Sequence, residues 1–336
     1  MRPLYLAAGI VVLVAVVVDI LWTTLWVDGG SGPLSSRLTT LTWRTLRKAS
    51  DDHPRVLSLA GPLILALTLA MWIALLWLGW TLLFAGDETA LVSPHTGEPA
   101  DWSGRFYYVA YTMFTNGNGD YSPTTGGWEI ASALTTATGM AFVTLGVSYI
   151  LTVLGAVSEK RSFASDVTGL GERSEAFVRA GWNGTDEEFR GLDLPMNSLA
   201  DQLSLLADQH KAYPILHYYH SEQASRASAM AVPIFDEALT IFRHGVPEDA
   251  QPNPAHVENA RSSVDSYLDT LGTSFIDPAD EVPPAPELDR LREDGIPTVE
   301  DEAFADVVAT RSERRRKLLG IARGDAWHWP PLEEDE

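Results

Sequence analysis

Apolar positions in this chain gather into three long runs, at residues 4–27, 57–85 and 128–157, each long enough to cross a bilayer, which takes about 20 mostly apolar residues. The first run is not a signal peptide. Its apolar core begins almost at Met1, Asp19 interrupts it, and no small-x-small cleavage site follows. Asp19 is the only charged residue in that run. A charge at membrane depth is expensive, and its place near one end fits a hydrogen bond to a neighbouring helix. Between the first two runs, Leu34, Leu38, Leu41 and Leu46 fall on one helical arc while Arg37, Arg44 and Lys48 fall on another. That pattern predicts a helix lying on the membrane surface, with a solvated basic linker as the alternative. After the third run the spacing turns polar and helical: residues 174–182, 197–212, 227–243, 254–271 and 299–322 read as amphipathic helices, and strand-like alternation is scarce. The pattern is that of an all-α membrane protein.

Composition divides the chain at the same place. A mean hydropathy of -0.02 conceals an apolar first half and a polar, acidic remainder that holds 35 of the 45 acids and 17 of the 24 basic residues from Glu159 onward. The net charge of -21 excludes a nucleic-acid partner, since duplex binding rests on basic charge. Without cysteine, neither disulfides nor thiolate metal sites are available. The loop at 28–56 carries Arg37, Arg44, Arg47, Lys48 and Arg55, whereas the loop at 86–127 sets Arg105 against Asp87, Glu88, Glu98, Asp101 and Asp120. The positive-inside rule then places the N-terminus outside, the second loop external and the C-terminus cytoplasmic in a multi-pass cell-membrane protein. No nucleophile, paired-carboxylate or phosphate-loop signature points to an enzyme, and no cofactor is expected.

The second loop carries the chemistry. An aromatic stretch, residues 105–114, contains neither Gly nor Pro and is long enough for a short helix. It runs directly into Thr115-Asn116-Gly117-Asn118-Gly119-Asp120. Taken alone, Asn-Gly and Gly-Asp make turns. Here the glycines alternate with larger residues, which lets successive carbonyls face one axis through dihedrals that other L-residues resist. A helix C-terminus aimed at the same place favours a cation there.

These residues resemble the filter of pore-loop potassium channels, whose Thr-Val-Gly-Tyr-Gly carbonyls replace an ion's hydration shell. Thr115, Gly117, Gly119 and Asp120 stand in the family's order, and the sequence departs with Asn116 for Val and Asn118 for Tyr. The resemblance covers roughly residues 57–160. It implies an outer helix (57–85), a pore helix (105–114), the filter (115–120) and an inner helix (128–158) assembled as a homotetramer that conducts potassium, or potassium with sodium, through a membrane. It implies further that Tyr107 and Tyr108 brace the filter, and that Tyr111 stands where relatives place an acid. Asn118 either rebuilds the brace on Tyr108 or Thr112 or turns into the lumen; weakly selective relatives carry a polar residue there. Gly139, nineteen residues past the filter Asp, is the expected hinge, with close packing as the other reason for a glycine. Thr136, Met140 and Val143 would line a cavity and Leu151 would gate it. The helix between the first two spans would correspond to the slide helix of inward-rectifying relatives.

The remaining organisation reads as an N-terminal span (1–27), an interfacial segment (28–56), the pore domain (57–160), a helical cytoplasmic domain (161–276), and an acidic Pro-rich linker with a C-terminal helix (277–336). Arg314, Arg315, Arg316 and Lys317 would face acidic surface, lipid or solvent. No Gly-x-Gly-x-x-Gly follows a strand, so a Rossmann-type regulatory domain is absent, and the cytoplasmic ligand is not legible. His210, His217 and His220 would share a face if one helix carried them, as candidates for metal or proton sensing; Pro214 opposes that helix. The rival to a conducting channel is a membrane-anchored tetrameric sensory or scaffold protein with a closed pore.

Overall fold

The computed structural model describes residues 2–27, 30–50, 53–184, 188–189, 191–272 and 275–329. Two compact units divide the chain, Met1–Trp43 with Pro62–Val153, and Arg44–Gly61 with Leu154–Glu336. Helices dominate both. They are α1 (Pro3–Leu25), α2 (Pro33–Ser50), α3 (Pro54–Leu57), α4 (Ala60–Ala85), α5 (Trp102–Met113), α6 (Gly126–Leu170), α7 (Ser174–Ala180), α8 (Asp193–Ala212), α9 (Ser228–Thr240), α10 (Pro254–Gly272), α11 (Leu288–Glu293), α12 (Asp301–Thr310) and α13 (Ser312–Gly324). The strands form two short antiparallel ribbons, β1 (Leu91–Val92) with β2 (Ser122–Pro123) and β3 (Trp182–Asn183) with β4 (Glu188–Phe189).

Among the described residues three helical segments are long and apolar enough to span a membrane, Pro3–Leu25, Arg55–Ala85 and Gly126–Leu170. In the first unit, Val16, Ile20, Trp72, Leu76, Met113 and Phe142 form one core, and Trp80, Phe84, Leu91, Tyr108 and Val109 form a second. Three indoles of α4 tie this unit together by hydrogen bonds. Trp72 donates to Asp19, Trp77 to the Phe106 carbonyl at 2.8 Å, and Trp80 to the Thr138 hydroxyl at 2.9 Å.

Asp19 is fully buried, and its carboxylate is satisfied from two other helices. Oδ1 accepts from the Leu34 and Ser35 amides at 2.7 and 3.2 Å, while Oδ2 accepts from the Ser35 hydroxyl at 2.5 Å and Trp72 Nε1 at 2.8 Å. Leu34 and Ser35 belong to the first turn of α2, whose free amides and positive dipole end favour an anion. The segment between the first two spans is helical, and a carboxylate from α1 caps it. Ser35, Thr39 and Trp43 are its buried positions, and Leu41, on the leucine arc, stays exposed.

The second unit packs α8 against α10 around the wholly buried α9. Phe163, Phe177, Phe235, Phe242 and Tyr267 fill its centre. Two acids on α9 sit inside this core and draw in arginines. Asp236 binds Arg261 and Arg314, each at 2.5 Å, and Glu237 binds Arg315 at 2.8 Å. Half of the C-terminal basic run is thus consumed by buried ion pairs. Arg315 also donates to the Pro283 and Pro284 carbonyls, and the Ala279 amide donates to Arg316. The Pro-rich stretch expected to behave as a separate mobile linker is accordingly fastened to the same unit. The expected C-terminal helix is two helices, parted at Arg311.

One boundary moves outward. The third span does not end at residue 158: α6 continues to Leu170, about 68 Å at 1.5 Å per residue. Phe163, Ala164 and Val167, at helical spacing, are buried in the core of the second unit and carry the helix on.

Replacing Asp19 with Ala strands the Leu34 and Ser35 amides, the Ser35 hydroxyl and the Trp72 indole. At about 1–3 kcal/mol for each buried group left unsatisfied, thermal unfolding in detergent should show a loss of about 3 kcal/mol or more. Asp19→Asn keeps an acceptor and should lose less. An Ala variant as stable as the parent would remove Asp19 from this role.

Candidate functional site

Helix α5 begins where Asp101 accepts the Gly104 amide at 2.7 Å, a cap that also holds the Asp101 carboxyl below the usual carboxylate range. It buries Tyr108, Val109, Thr112 and Met113. Its other end closes by two crossed bonds: the Asn116 amide reaches back to the Tyr111 carbonyl at 2.8 Å and the Thr115 amide to Thr112 at 3.2 Å. That pattern is a Schellman closure with Thr115 in the left-handed position, where glycine is the usual occupant. A β-branched residue there is a backbone outlier, worth on the order of 1–3 kcal/mol of strain that the surroundings must hold.

Positive φ recurs with a period of two. Thr115, Gly117 and Gly119 have φ of 62°, 101° and 63°, while Asn116, Asn118 and Asp120 between them stay out of the left-handed region. Positive and negative φ thus alternate along the loop, and all six residues are exposed in the single chain.

Side chains of α5 brace this loop from behind. Tyr107 lies so close to Gly119 that a Cβ there would come within 2.5 Å of its ring. Tyr107 and Tyr111 pack with centroids 4.4 Å apart. The Thr112 hydroxyl donates to the Gly117 carbonyl at 3.3 Å, and Tyr108 donates to Ser132 of α6 at 2.5 Å. With Thr112 and Tyr108 so engaged, the Asn118 side chain makes no hydrogen bond within the described residues. On the far side of the loop, β1 pairs with β2, Leu91 opposite Pro123 and Val92 opposite Ser122, pinning the chain just beyond Asp120 and Tyr121. Ser132 and this ribbon escape sequence reasoning because each is a partner distant in the chain; the short Leu91-Val92-Ser93 stretch was the available strand signal.

Gly139 faces the end of α5. A Cβ at Gly139 would lie 1.9 Å from the Met113 carbonyl, so the glycine lets α6 approach the base of the loop, and α6 runs through it unbroken. Close approach to the Met113 carbonyl is by itself reason for a glycine here. Thr136, Met140, Val143 and Leu151 fall on one face of α6, and that face is open: Met140 is 58% and Leu151 66% exposed, with Val147 and Leu154 between and beyond them.

The histidines do not form a site. Among the described residues no group of three His, Asp or Glu side chains is placed to hold a metal. As Pro214 foretells, α8 stops at Ala212, a 3-10 turn takes Pro214–Tyr218, and no common helix face exists. His210 is buried, with Nδ1 bonded to the Leu206 carbonyl at 2.9 Å and its ring edge-on to Tyr267. His217 stacks on Phe275 at 4.6 Å, and His220 meets Asp325 at 3.2 Å while stacking on Trp327. Burial pushes His210 down to about 3 and His217 to about 4, so both remain neutral across the range a proton sensor would use.

A bundle of three membrane-length helices, a short fourth helix that stops inside it, and a strained loop returning from that stop define a pore-loop membrane protein. Residues 67–156 match the family described as "Ion channel". Over 330 residues the chain is 44% identical to "Uncharacterized membrane protein YdjJ" of Bacillus subtilis (strain 168), an alignment covering 98% of this chain and 96% of that protein. The chain belongs to that family of membrane proteins and carries its pore-loop ion channel domain. No solved structure matches it. The ion-channel domain points to a channel-type membrane protein and not to an enzyme.

For His210 the folded pKa lies below the unfolded 6.5, so folding excludes a proton, and stability is full above 6.5 and lost as pH falls toward about 3. His210→Gln should be less stable at pH 7.5, and its deficit should narrow below pH 6.5 by up to about 1.4 kcal/mol per pH unit. Denaturation of the purified protein at several pH values measures this, and a constant deficit would refute it.

Proposed function

We propose that the protein is a homotetrameric channel that passively conducts monovalent cations, potassium together with sodium, across the cell membrane. The observation that carries this reading is the alternation of left-handed backbone at Thr115, Gly117 and Gly119. Alternate dihedrals of this kind turn successive carbonyls toward one side, where they can replace an ion's hydration shell. One loop offers too few oxygens to surround an ion, so several copies are needed around an axis, and closed cyclic symmetry is the common solution.

The open face of α6 supports the same arrangement. Met140, Val143, Val147, Leu151 and Leu154 form an apolar stripe with Thr136, as the lining of a cavity and a hydrophobic gate requires, and Gly139 seats the opposite side of the helix against α5. The loop charges set orientation: the N-terminus and filter lie outside and the C-terminus in the cytoplasm. Neither cofactor nor nucleic acid takes part; lipids and sister subunits are the partners. Weak discrimination follows from Asn118, whose side chain makes no hydrogen bond among the described residues, unlike the bracing Tyr of the family that it replaces.

Purified protein in liposomes should take up potassium and sodium down their gradients and should run as a tetramer in nanodiscs. A stable monomer would sink the pore reading, and an intact tetramer without flux would favour the scaffold alternative.

Reversal potentials under mixed gradients should show potassium preferred over sodium by less than about tenfold, or 1.4 kcal/mol. Asn116→Val with Asn118→Tyr should raise that preference. Strong potassium selectivity in the unaltered protein would mean that the asparagines already supply the missing support.

A further inference from the structure

Arg173, three residues beyond the end of α6, is a buried cation whose side chain makes no hydrogen bond among the described residues. Its side chain is 8% exposed, Nη1 has neither solvent nor partner, and the nearest acid, Glu175, stands 3.9 Å from Nε. Burying a guanidinium nitrogen in that state is costly, because its donors lose water and gain no partner. Arg173 lines two adjoining cavities. The smaller, about 30 Å³, has room for one water between Arg173 and Glu237, whose Oε2 is also unpartnered. The larger, about 130 Å³, lies between α7 and α11, with Arg173, Arg179 and Arg290 facing Glu175, Glu293 and Asp294.

The wall of the larger cavity carries both signs in equal number. Glu175 is already taken by the Glu287 amide and the Ser174 hydroxyl, and Asp294 by Arg179 at 3.4 Å. What stays open is one guanidinium, Arg173, and one carboxylate, Glu293, which is exposed and makes no ion pair among the described residues. A simple anion would meet three acids on entering, and a simple cation would meet three arginines. A small molecule bearing a carboxylate and an ammonium satisfies both open groups without adding net charge. At about 30 Å³ per displaced water, the cavity accepts a ligand replacing about four waters.

We propose that the cavity between α7 and α11 binds a small zwitterion of the α-amino-acid class, its carboxylate on Arg173 and its ammonium on Glu293. A guanidinium fork matches a carboxylate in two-point geometry, which Arg173 does not find among the described residues. Binding does not depend on conduction, so each can fail without the other.

Calorimetric titration of the full-length protein in detergent, in a buffer free of zwitterions, tests this with L-alanine and L-glutamate as probes. At least one should bind saturably with a Kd of about 1 mM or tighter, while acetate and ethylammonium should bind about tenfold more weakly or not at all. Arg173→Gln should abolish binding. Because that variant removes a buried side chain, Glu293→Gln at an exposed position is the companion, and it should weaken amino-acid binding severalfold with an unchanged melting temperature. Absence of saturable binding by both amino acids, acetate binding as tightly as alanine, or full affinity in Glu293→Gln would each overturn the proposal.

Discussion

A carboxylate held at zero exposure among membrane helices can survive only if every lone pair is used, and the first unit is arranged around that requirement at Asp19. Four donors converge on it, two from the α2 backbone, one hydroxyl and one indole. Each constrains a different element. The amides fix where α2 may start, Ser35 fixes its rotation, and Trp72 fixes the depth of α4 against α1. Gly32 leaves no alternative at the approach, since a Cβ there would sit 2.3 Å from Oδ1. A charge near the positive end of a helix is favourable where a lone buried charge is not, so the cost of placing Asp19 in the membrane is offset by the orientation it imposes.

The loop after α5 poses the opposite problem. Irregular backbone at membrane depth is tolerated only where protein or an aqueous cavity covers it, and the left-handed residues store strain that relaxes unless neighbours oppose it. Opposition comes from all sides available to one chain. Crossed amide bonds close α5, the Tyr107 ring lies on Gly119, Thr112 holds the Gly117 carbonyl, and the β1–β2 ribbon fixes the exit. These supports stand on α5 and on the ribbon while α5 itself is locked by Trp77 and by Ser132. The loop's shape is therefore imposed from outside it, which is what a binding geometry needs if ions are to enter and leave without remodelling the chain.

Local pattern made much of this legible and long-range pairing hid the rest. Apolar runs place the three spans because a bilayer demands their length, and alternating glycines mark the loop because few residues accept such dihedrals. Asp19 announced a hydrogen bond by its cost, yet nothing in the sequence near it named Leu34 or Trp72 as the partner. Spacing could not say that α6 continues to Leu170, since Phe163 and Val167 fit an exposed helix as well as a buried one until the surrounding core is known. The histidines misled for a related reason. Proximity in sequence suggested a shared face, whereas Pro214 turned each ring into a different set of neighbours, His210 toward Tyr267 and His220 toward Trp327. The basic run was ambiguous until α9 supplied Asp236 and Glu237 as partners.

Those two acids, adjacent in sequence, diverge in their chemistry because of how many arginines each receives. Burial raises both, but Asp236 is held below its ordinary value by Arg261 and Arg314 together, while Glu237 has Arg315 alone and an empty Oε2, and burial pushes it up to about 7. A folded pKa above the unfolded 4.5 means that folding takes up a proton, so the stability Glu237 contributes is present below 4.5 and lost as pH rises toward 7. His210 has the opposite slope, losing stability as pH falls from 6.5. Between 4.5 and 6.5 the two trends run against each other, and the second unit is buffered where either group alone would make it pH-sensitive. Below that interval Glu237 ceases to compensate, and the neutral histidines together with the depressed Asp236 carboxylate make the fold lose stability as pH falls.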